Sequence, residues 1–455
     1  MHETRTRALN TAAVARGRYV LYWMQASQRA VDNPALDVAV EQANELSLPV
    51  LCTFGLDVSY PEANVRHYAF MLEGLRETRE ALETRGVHLA VVAGMPHEAA
   101  LSASREAAIV VCDRGYLRHQ KEWRQAVAER SRCRVLEVEG DVVVPVDLAS
   151  AKREWSAATL RPRVHRLLET FLHIPRSPRP KKDSLGITVP EAVRSLDSAL
   201  LADLQVDRSV PAVFSTRGGG GGTRKALALL RAFISKKLPF YGDERHDPAL
   251  GTQSGLSPYL HFGQISPVRA ALAAAHASHA PEAARAAFLE QLIVRRELAM
   301  NFVEHTPDYD SWSCLPAWAR ASLDAHTVDR RPYLYTPAEL EGASTHDPFW
   351  NAAMKQMKST GRLHGHMRMY WGKKILEWSP CAEDGFREAL RLNNRWFLDG
   401  RDPCSFAGVA WCFGLHDRPW GKRPIFGNVR YMNDSGLKRK FDMAAYLRSV
   451  EKEQP

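Results

Sequence analysis

The chain has 455 residues, 45% of them hydrophobic, and carries a formal net charge of +9. That length accommodates two domains. No apolar run is long enough to span a bilayer, and the polar start MHETRTRALNTAAVARG lacks the core of a secretory signal, so we expect a cytoplasmic protein without a membrane partner. The positive excess favours a polyanionic partner, because Lys and Arg gain by displacing counterions from phosphates.

The N-terminal third alternates strand and helix. Its periodicity predicts strands at Tyr19 to Met24, Pro49 to Phe54, His88 to Val92 and Ala107 to Cys112, with further β structure at Arg134 to Val138 and Val142 to Val146. Helices are expected from Asp32-Asn33-Pro34 to about Leu46, from Arg66 to Arg85 and from Tyr116 to Arg130. Such alternation implies an α/β domain over residues 1–150 with a Rossmann-like, doubly wound parallel sheet. Sheets of that kind bind ligands at the carboxyl ends of their strands. The first strand runs on into Met24-Gln25-Ala26-Ser27-Gln28-Arg29 rather than GxGxxG, so a nicotinamide-type pyrophosphate cradle is absent.

Residues 151–222 read as a connector. Ile174 to Lys182 is rich in proline and positive charge, and Gly218 to Gly222 is followed by Thr223-Arg224-Lys225 rather than Lys-Ser/Thr. A flexible hinge is expected there, leading into a helix through Ala226 to Lys236 and an all-α domain over 223–455.

In that helical half, Gln253-Ser254-Gly255-Leu256-Ser257-Pro258 precedes a helix from Tyr259, a start suited either to a phosphate or to ordinary capping. Phe288 to Asn301 is expected to be an amphipathic helix with Arg295, Arg296 and Glu297 on its polar side. His346 to Trp378 reads as two helices. Asp347 caps the first, Pro348 opens it and Gly361 closes it, while the second runs from about Leu363 until Ser379-Pro380. Trp371 and Trp378, seven residues apart, share one helix face. Trp350 lies on the preceding helix, and Arg362, Arg368, Lys373 and Lys374 surround the aromatic set as solvent-facing cations. Basic residues gather again at Lys422-Arg423, Arg430 and Lys438-Arg439-Lys440, interleaved with Trp420, Phe426, Tyr431 and Phe441, which suits a disrupted duplex. Asn433 to Gly436 are turn formers that put Arg430 on or near a loop.

Seven cysteines stand without a CxxC pair, which suits free thiols. The spacing of Cys314, Cys381, Cys404 and Cys412 matches no common cluster motif, and no metal is expected.

The strings YWMQASQRAVDNPAL, THDPFWNA, LHGHMRMYWGKKILEW, DGRDP, GLHDRPWG and FGNVRYMNDSGLKRKFD resemble the class II cyclobutane pyrimidine dimer photolyases, over roughly Gly17 to Tyr446. The resemblance implies FAD, and light-driven splitting of pyrimidine dimers in DNA by an electron from the excited, reduced flavin. It implies that Gln253, Ser254, Gly255, Leu256 and Ser257 clamp the FAD diphosphate, with Tyr241 upstream. It places Asn393 at the redox nitrogen of the ring, and Arg368, paired with Asp399, near the ring carbonyls; Gly400 and Arg401 belong to the same DGRDP string. The implied electron path has Trp371 closest to the flavin, Trp350 intermediate and Trp378 nearest solvent, with Tyr370 beside them. Gln291 stands where the family has an acidic residue implicated in holding the paired bases. Arg295, Trp411, Arg418, Lys422, Arg423, Arg430, Lys438 and Arg439 fall to DNA, with Arg430 facing the bases orphaned by flipping. The N-terminal domain of that family can hold an antenna chromophore of deazaflavin or folate type. Where the family continues with an Asn-Gly-Tyr-like run, this chain has Cys404-Ser405-Phe406. No obligate protein partner is implied.

Two other readings share these residues. A cryptochrome-like light sensor would keep FAD and the tryptophans and signal through a partner. It would be favoured by a long, low-complexity C-terminal extension, and the chain ends at Pro455 soon after the matched region. A basic nucleic-acid-binding protein without catalysis would be colourless.

Overall fold

A computed structural model describes residues 2–174, 177–213 and 220–453. Contacts divide the chain into two compact units. The first comprises Met1–Ala149, Val164–Arg231 and Gly255–His276; the second comprises Ser150–Arg163, Ala232–Ser254 and Ala277–Pro455.

The first unit is built on a six-stranded sheet: β1 (Thr6–Ala8), β2 (Tyr19–Trp23), β3 (Val50–Leu56), β4 (His88–Ala93), β5 (Ala107–Asp113) and β6 (Arg134–Val138). Their order is β1-β6-β5-β2-β3-β4. Every pair is parallel except β1–β6. Strand β2 shows why the sequence YVLYW forms a central strand. Side chains alternate across a sheet, so Tyr19, Leu21 and Trp23 enter one core while Val20 and Tyr22 enter the other, and all are buried. An unbroken apolar run is the signature of a strand covered on both faces. Helices α1 (Pro34–Glu45), α2 (Val65–Glu83), α3 (Pro96–Ser104) and α4 (Arg118–Arg130) supply the cover. Asn33 opens α1 as expected, its side chain accepting from Leu36 N at 3.1 Å.

Two expectations for this sheet need correction. Val142 to Val146 forms no strand, because the carbonyls of Val142 and Val143 are taken by the Arg5 guanidinium at 3.2 and 2.5 Å. Thr6–Ala8, hidden in a polar sequence, pairs antiparallel along β6 and makes the sheet mainly, not wholly, parallel.

The expected flexible hinge is also revised. Within Gly218 to Gly222, residues 218 and 219 lie outside the described residues, as do residues 175 and 176 of the proline-rich stretch. The described glycines are held firmly. Gly221 N donates to Glu73 at 2.8 Å, Gly222 N donates to Gln264 at 2.7 Å, and Gly220 O accepts from Tyr259 at 2.7 Å. A Cβ on Gly221 would lie 2.1 Å from Phe70 O, so close approach, not freedom, requires glycine there.

The strand order reverses between β2 and β5. At their carboxyl ends Asp113 is buried and accepts from Gln25 N (2.8 Å), Ser27 N (3.0 Å) and Tyr22 OH (3.1 Å), fixing the loop after β2. On that loop the Gln25 amide, Ser27 Oγ and Gln28 Oε1 are buried without a partner among the described residues.

The second unit is helical. Its main elements are α5 (Arg296–Glu304), α6 (Pro348–Thr360), α7 (Gly365–Trp378), α8 (Ala382–Trp396), α9 (Pro403–Cys412), α10 (Asp434–Lys440) and α11 (Met443–Glu453). Among the described residues no helix is long and apolar enough to cross a membrane.

Asp113→Ala would leave the Gln25 and Ser27 amides without their acceptor and Tyr22 OH with only a long contact to Ser27 O at 3.5 Å. We expect a loss of about 2–4 kcal/mol in global stability, measured by urea unfolding.

Candidate active site

Helices α6 and α7 carry the aromatic set, and one carboxylate ties them together. Asp347 Oδ1 accepts from Phe349 N (2.9 Å) and Trp350 N (3.0 Å), capping α6, while Oδ2 accepts from Tyr370 OH on α7. Burial and the neighbouring Asp347 carboxylate push the Tyr370 phenol upward, so it stays a donor. Gly361 ends α6 with φ +69°, as its position predicts. Helix α7 starts at Gly365 rather than Leu363, because His364 takes the cap and accepts from His366 N at 3.1 Å.

Trp350, Trp371 and Trp378 are all buried. Trp350 Nε1 donates to Trp371 O at 3.0 Å, and the Trp350 and Trp378 rings lie 5.5 Å apart, edge to face. Trp371 Nε1 has no partner among the described residues. Trp378, expected nearest solvent, is itself closed off. Its ring meets Tyr335 and His346, each at 5.3 Å, and His346 stacks at 3.7 Å on Tyr333, which is exposed. Tyr333 and Tyr335 escaped the sequence reading because a lone Tyr-Leu-Tyr carries no spacing signal.

The expectation that the surrounding cations face solvent fails at two positions. Lys374 is buried and pairs with Glu377 at 2.7 Å. Lys373 is buried, and its ammonium donates to Cys412 O at the end of α9. A cation at a helix C-terminus answers the helix dipole.

Next to this set lies a polar cluster. Arg368, on α7 one turn before Trp371, donates from Nη2 to Asn393 Oδ1 (2.7 Å) and Ser405 Oγ (3.0 Å), and pairs with Asp399 at 3.3 Å. Its guanidinium also sits 3.8 Å over the Phe397 ring, whose edge meets Trp371 at 6.2 Å. The Asn393 amide is fully enclosed, donating from Nδ2 to Ser405 Oγ (2.6 Å) and Asn394 Oδ1 (3.0 Å). Asn394 O in turn holds the buried Arg401 at 2.7 Å, whose backbone adopts φ +65°, just after Gly400. Ser405 stands out in sequence only as part of Cys404-Ser405-Phe406, without a role, yet it is the acceptor that Arg368 and Asn393 share.

The expected amphipathic helix at Phe288 to Asn301 is interrupted. Glu290–Arg295 is a π-helix, a form frequent at functional sites. Its register leaves Gln291 and Arg295 half-buried, whereas Arg296 and Glu297, expected on the polar side, are buried. Arg295 lies 5.5 Å over Trp411 and bonds Glu290 at 3.2 Å, while Arg161 bonds both oxygens of Glu290 at 3.0 and 2.8 Å. Burial alone would raise the Glu290 pKa; the two arginines outweigh it and hold the carboxyl below its usual range.

Of the proposed cofactor segment, Tyr241 is buried between Phe233 (5.5 Å) and Phe288 (5.6 Å). Gln253 Nε2 donates to Arg245 O (2.8 Å) and meets His364 Nε2 (3.0 Å), and Ser254 follows it in the same unit. Gly255, Leu256 and Ser257 belong to the first unit. There Gly255 has φ +70°, Leu256 is buried, and Ser257 opens a short helix to His261.

The basic loop is exposed. Trp420 lies under Arg430 (4.9 Å) and Arg418 (5.6 Å), and Arg423 lies 4.0 Å over Tyr431. Lys422 is exposed beside them, and Arg430 lies on a loop as expected. The turn expected at Asn433 to Gly436 is instead the start of α10, with Asn433 accepting from Gly436 N at 2.9 Å. Lys438, paired with Asp434 at 3.0 Å, and the exposed Arg439 lie on that helix.

A mainly parallel sheet of this topology in one unit, with a helical second unit, matches the photolyase and cryptochrome fold. A class III photolyase from Agrobacterium tumefaciens superposes with a TM-score of 0.74 at 21% identity, covering 97% of this chain and 88% of that one. A cryptochrome from Synechocystis sp. PCC6803 reaches the same TM-score at 14% identity, over 94% and 88%. The DNA photolyase family matches residues 20–181. The deoxyribodipyrimidine photo-lyase of Methanothermobacter thermautotrophicus is 48% identical over 98% of both chains. That of Potorous tridactylus is 38% identical over 94% of this chain and 81% of its own. The chain therefore belongs to the DNA photolyase family and is an enzyme of the photo-lyase type.

Lys373 gives the site a measurable pH signature. Burial pushes its ammonium down to about 8 from the ordinary 10.5. Between those values the unfolded chain binds more protons, so stability rises with pH. The contribution is complete above 10.5 and is lost as pH falls through about 8. Lys373→Met should lack this dependence, and the stability difference between the two proteins should change by about 2 kcal/mol between pH 7 and 10 in calorimetry.

Proposed function

We propose that the chain is a class II cyclobutane pyrimidine dimer photolyase that uses FAD and light to split dimers in DNA. One observation carries this reading. Phe397 touches both Arg368 of the Arg368–Asn393–Asp399 cluster and Trp371 of the indole set, so a redox-type polar cluster and an aromatic path share one ring.

The donor set fits a flavin. Arg368 is a half-buried cation fixed by Asp399, and beside it stands a neutral amide rather than an acid. Buried Trp371 Nε1 also lacks a partner among the described residues. In the second unit Arg368, Asn393, Asp399, Gly400, Arg401, Tyr241, Gln253 and Ser254 would hold FAD. Reduced FAD, when bound, supplies the electron that opens the cyclobutane ring under light and takes it back afterwards.

The chain's own residues do the rest by position and charge. Arg368 offers a fixed positive charge to an anionic ring, and Ser405 and Asn394 fix the amide of Asn393. Trp371, Trp350 and Trp378 offer a dry path for an electron. A dimer stacked in a duplex is out of reach, so it is flipped toward Gln291, Arg295 and Trp411, at least cost for a damaged pair. Gln291 can donate and accept hydrogen bonds there but carries no charge. The adjacent Glu290 is committed to Arg161 and Arg295, so it is not free to replace the family's carboxylate. An antenna of deazaflavin or folate type suits the carboxyl ends of β2 and β5, where the Gln25 amide, Ser27 Oγ and Gln28 Oε1 are buried without a partner among the described residues. Gln291 keeps the light-sensor reading as the alternative.

The absorption spectrum of purified protein, followed by illumination with a thymine-dimer oligonucleotide, tests the proposal. A flavin spectrum and light-dependent repair are expected; flavin without repair supports the sensor, and a colourless protein overturns both. Trp371→Phe should impair photoreduction of oxidised flavin and spare repair by chemically reduced protein. Normal photoreduction would remove Trp371 from the path.

Arg430 tests how the duplex is opened. A guanidinium can stack on orphaned bases and donate several hydrogen bonds. Arg430→Ala should weaken binding to a duplex dimer by about 1–3 kcal/mol and leave single-stranded dimer nearly unchanged. Equal losses on both would indicate a phosphate contact instead.

A further inference from the structure

Trp155 is the most exposed tryptophan among the described residues, with 70% of its surface accessible. A single exposed apolar side chain is ordinary. The way this one is held is not. Ser150 Oγ donates to Glu154 (2.7 Å), and Glu154 N donates to Asn301 Oδ1 (2.7 Å). Asn301 returns a hydrogen bond to Lys152 O (2.9 Å), so one buried amide grips the turn twice. Arg153 reaches back to Cys314 O (2.8 Å) with its guanidinium 5.2 Å over Phe302. Trp155 O itself accepts from His416 Nδ1 (2.9 Å). All these groups belong to the second unit. The backbone before the indole is thus fixed on three sides while the ring faces outward.

His416 connects the turn to the basic loop. Its backbone has φ +56°, a region that non-glycine residues seldom occupy and that tends to persist where surrounding contacts enforce it. Two residues on is Arg418 and four on is Trp420, also exposed. The turn is basic too, with Lys152, Arg153, Arg161 and Arg163 against one acid, Glu154, over Ser150–Arg163. Arg161 continues to Glu290 and thence to Arg295 over Trp411.

We propose that Trp155 is a stacking platform for a nucleobase of the DNA strand beside the flipped dimer, extending the interface of Arg418 and Trp420. This rests on the photolyase reading above. The charge around it selects a polyanion. A rigid indole gives a base a π-face with little ordering cost and no demand on sequence. The contact adds no phosphate partner, so it strengthens binding without adding salt dependence.

The test is a fluorescence-anisotropy titration of full-length protein with dye-labelled duplexes, with and without one thymine dimer, at several salt concentrations. Wild type is compared with Trp155→Ala, Trp155→Phe and Lys152→Ala. We expect Trp155→Ala to weaken binding to the dimer duplex about tenfold with an unchanged salt slope, and Trp155→Phe to recover most of it. Lys152→Ala should lower the slope instead. Melting temperatures should match wild type, because the ring is exposed. Equal affinity for wild type and Trp155→Ala overturns the inference. So does a reduced salt slope in that variant, which would mark a phosphate contact. A dimer-to-monomer change on sedimentation of Trp155→Ala overturns it in favour of a second copy of the chain. A wild type that binds no dimer-containing DNA overturns the photolyase reading itself, which the other outcomes leave standing.

Discussion

The Asp347 carboxylate is the joint on which the aromatic core turns. One oxygen closes two open amides at the start of α6, and the other receives the Tyr370 phenol from α7. Because Tyr370 precedes Trp371, that bond sets the rotation of α7 about its axis as well as its distance. Trp350 Nε1 then reaches Trp371 O, and the Trp350 ring meets Trp378 edge-on. A buried donor without an acceptor is costly, so the two helices have little freedom to slide. The indoles are positioned by polar contacts from the start of α6 to the middle of α7, with packing filling in behind.

The polar cluster follows the same logic. Arg368 is satisfied by an anion, a neutral amide, a hydroxyl and an aromatic face. Each fixes a different part of a planar fork, which a lysine could not exploit. Ser405 contributes the hydroxyl, accepting from both Arg368 and Asn393, and so ties α7, α8 and α9 together at one atom.

Much of this could be read from sequence because its causes are local. Asn33 and Asp347 announce helix starts, Gly361 announces an end, and YVLYW announces a strand buried on both faces. Arg368 with Asp399 was legible only through family resemblance. What stayed hidden depends on distant partners. Val142 to Val146 reads as a strand until Arg5 takes its carbonyls. Thr6–Ala8 has no apolar pattern and becomes a strand only because β6 lies open beside it. The buried Lys373 finds its acceptor at the end of α9, and Glu290, at the start of the π-helix, finds its partner in Arg161. No window of sequence contains both members of these pairs.

The stretch Ser150–Arg163 has a consequence for how the chain is made. Its hydrogen-bond partners lie far downstream: Glu290 is 129 residues after Arg161, Asn301 is 147 after Glu154, Cys314 is 161 after Arg153, and His416 is 261 after Trp155. Chains emerge from the ribosome in order, at roughly 5–20 residues per second. The sheet can therefore close while this basic, tryptophan-bearing segment still waits for most of the helical unit. Its docking is complete only once His416 has emerged, about ten to fifty seconds after Trp155 at those rates.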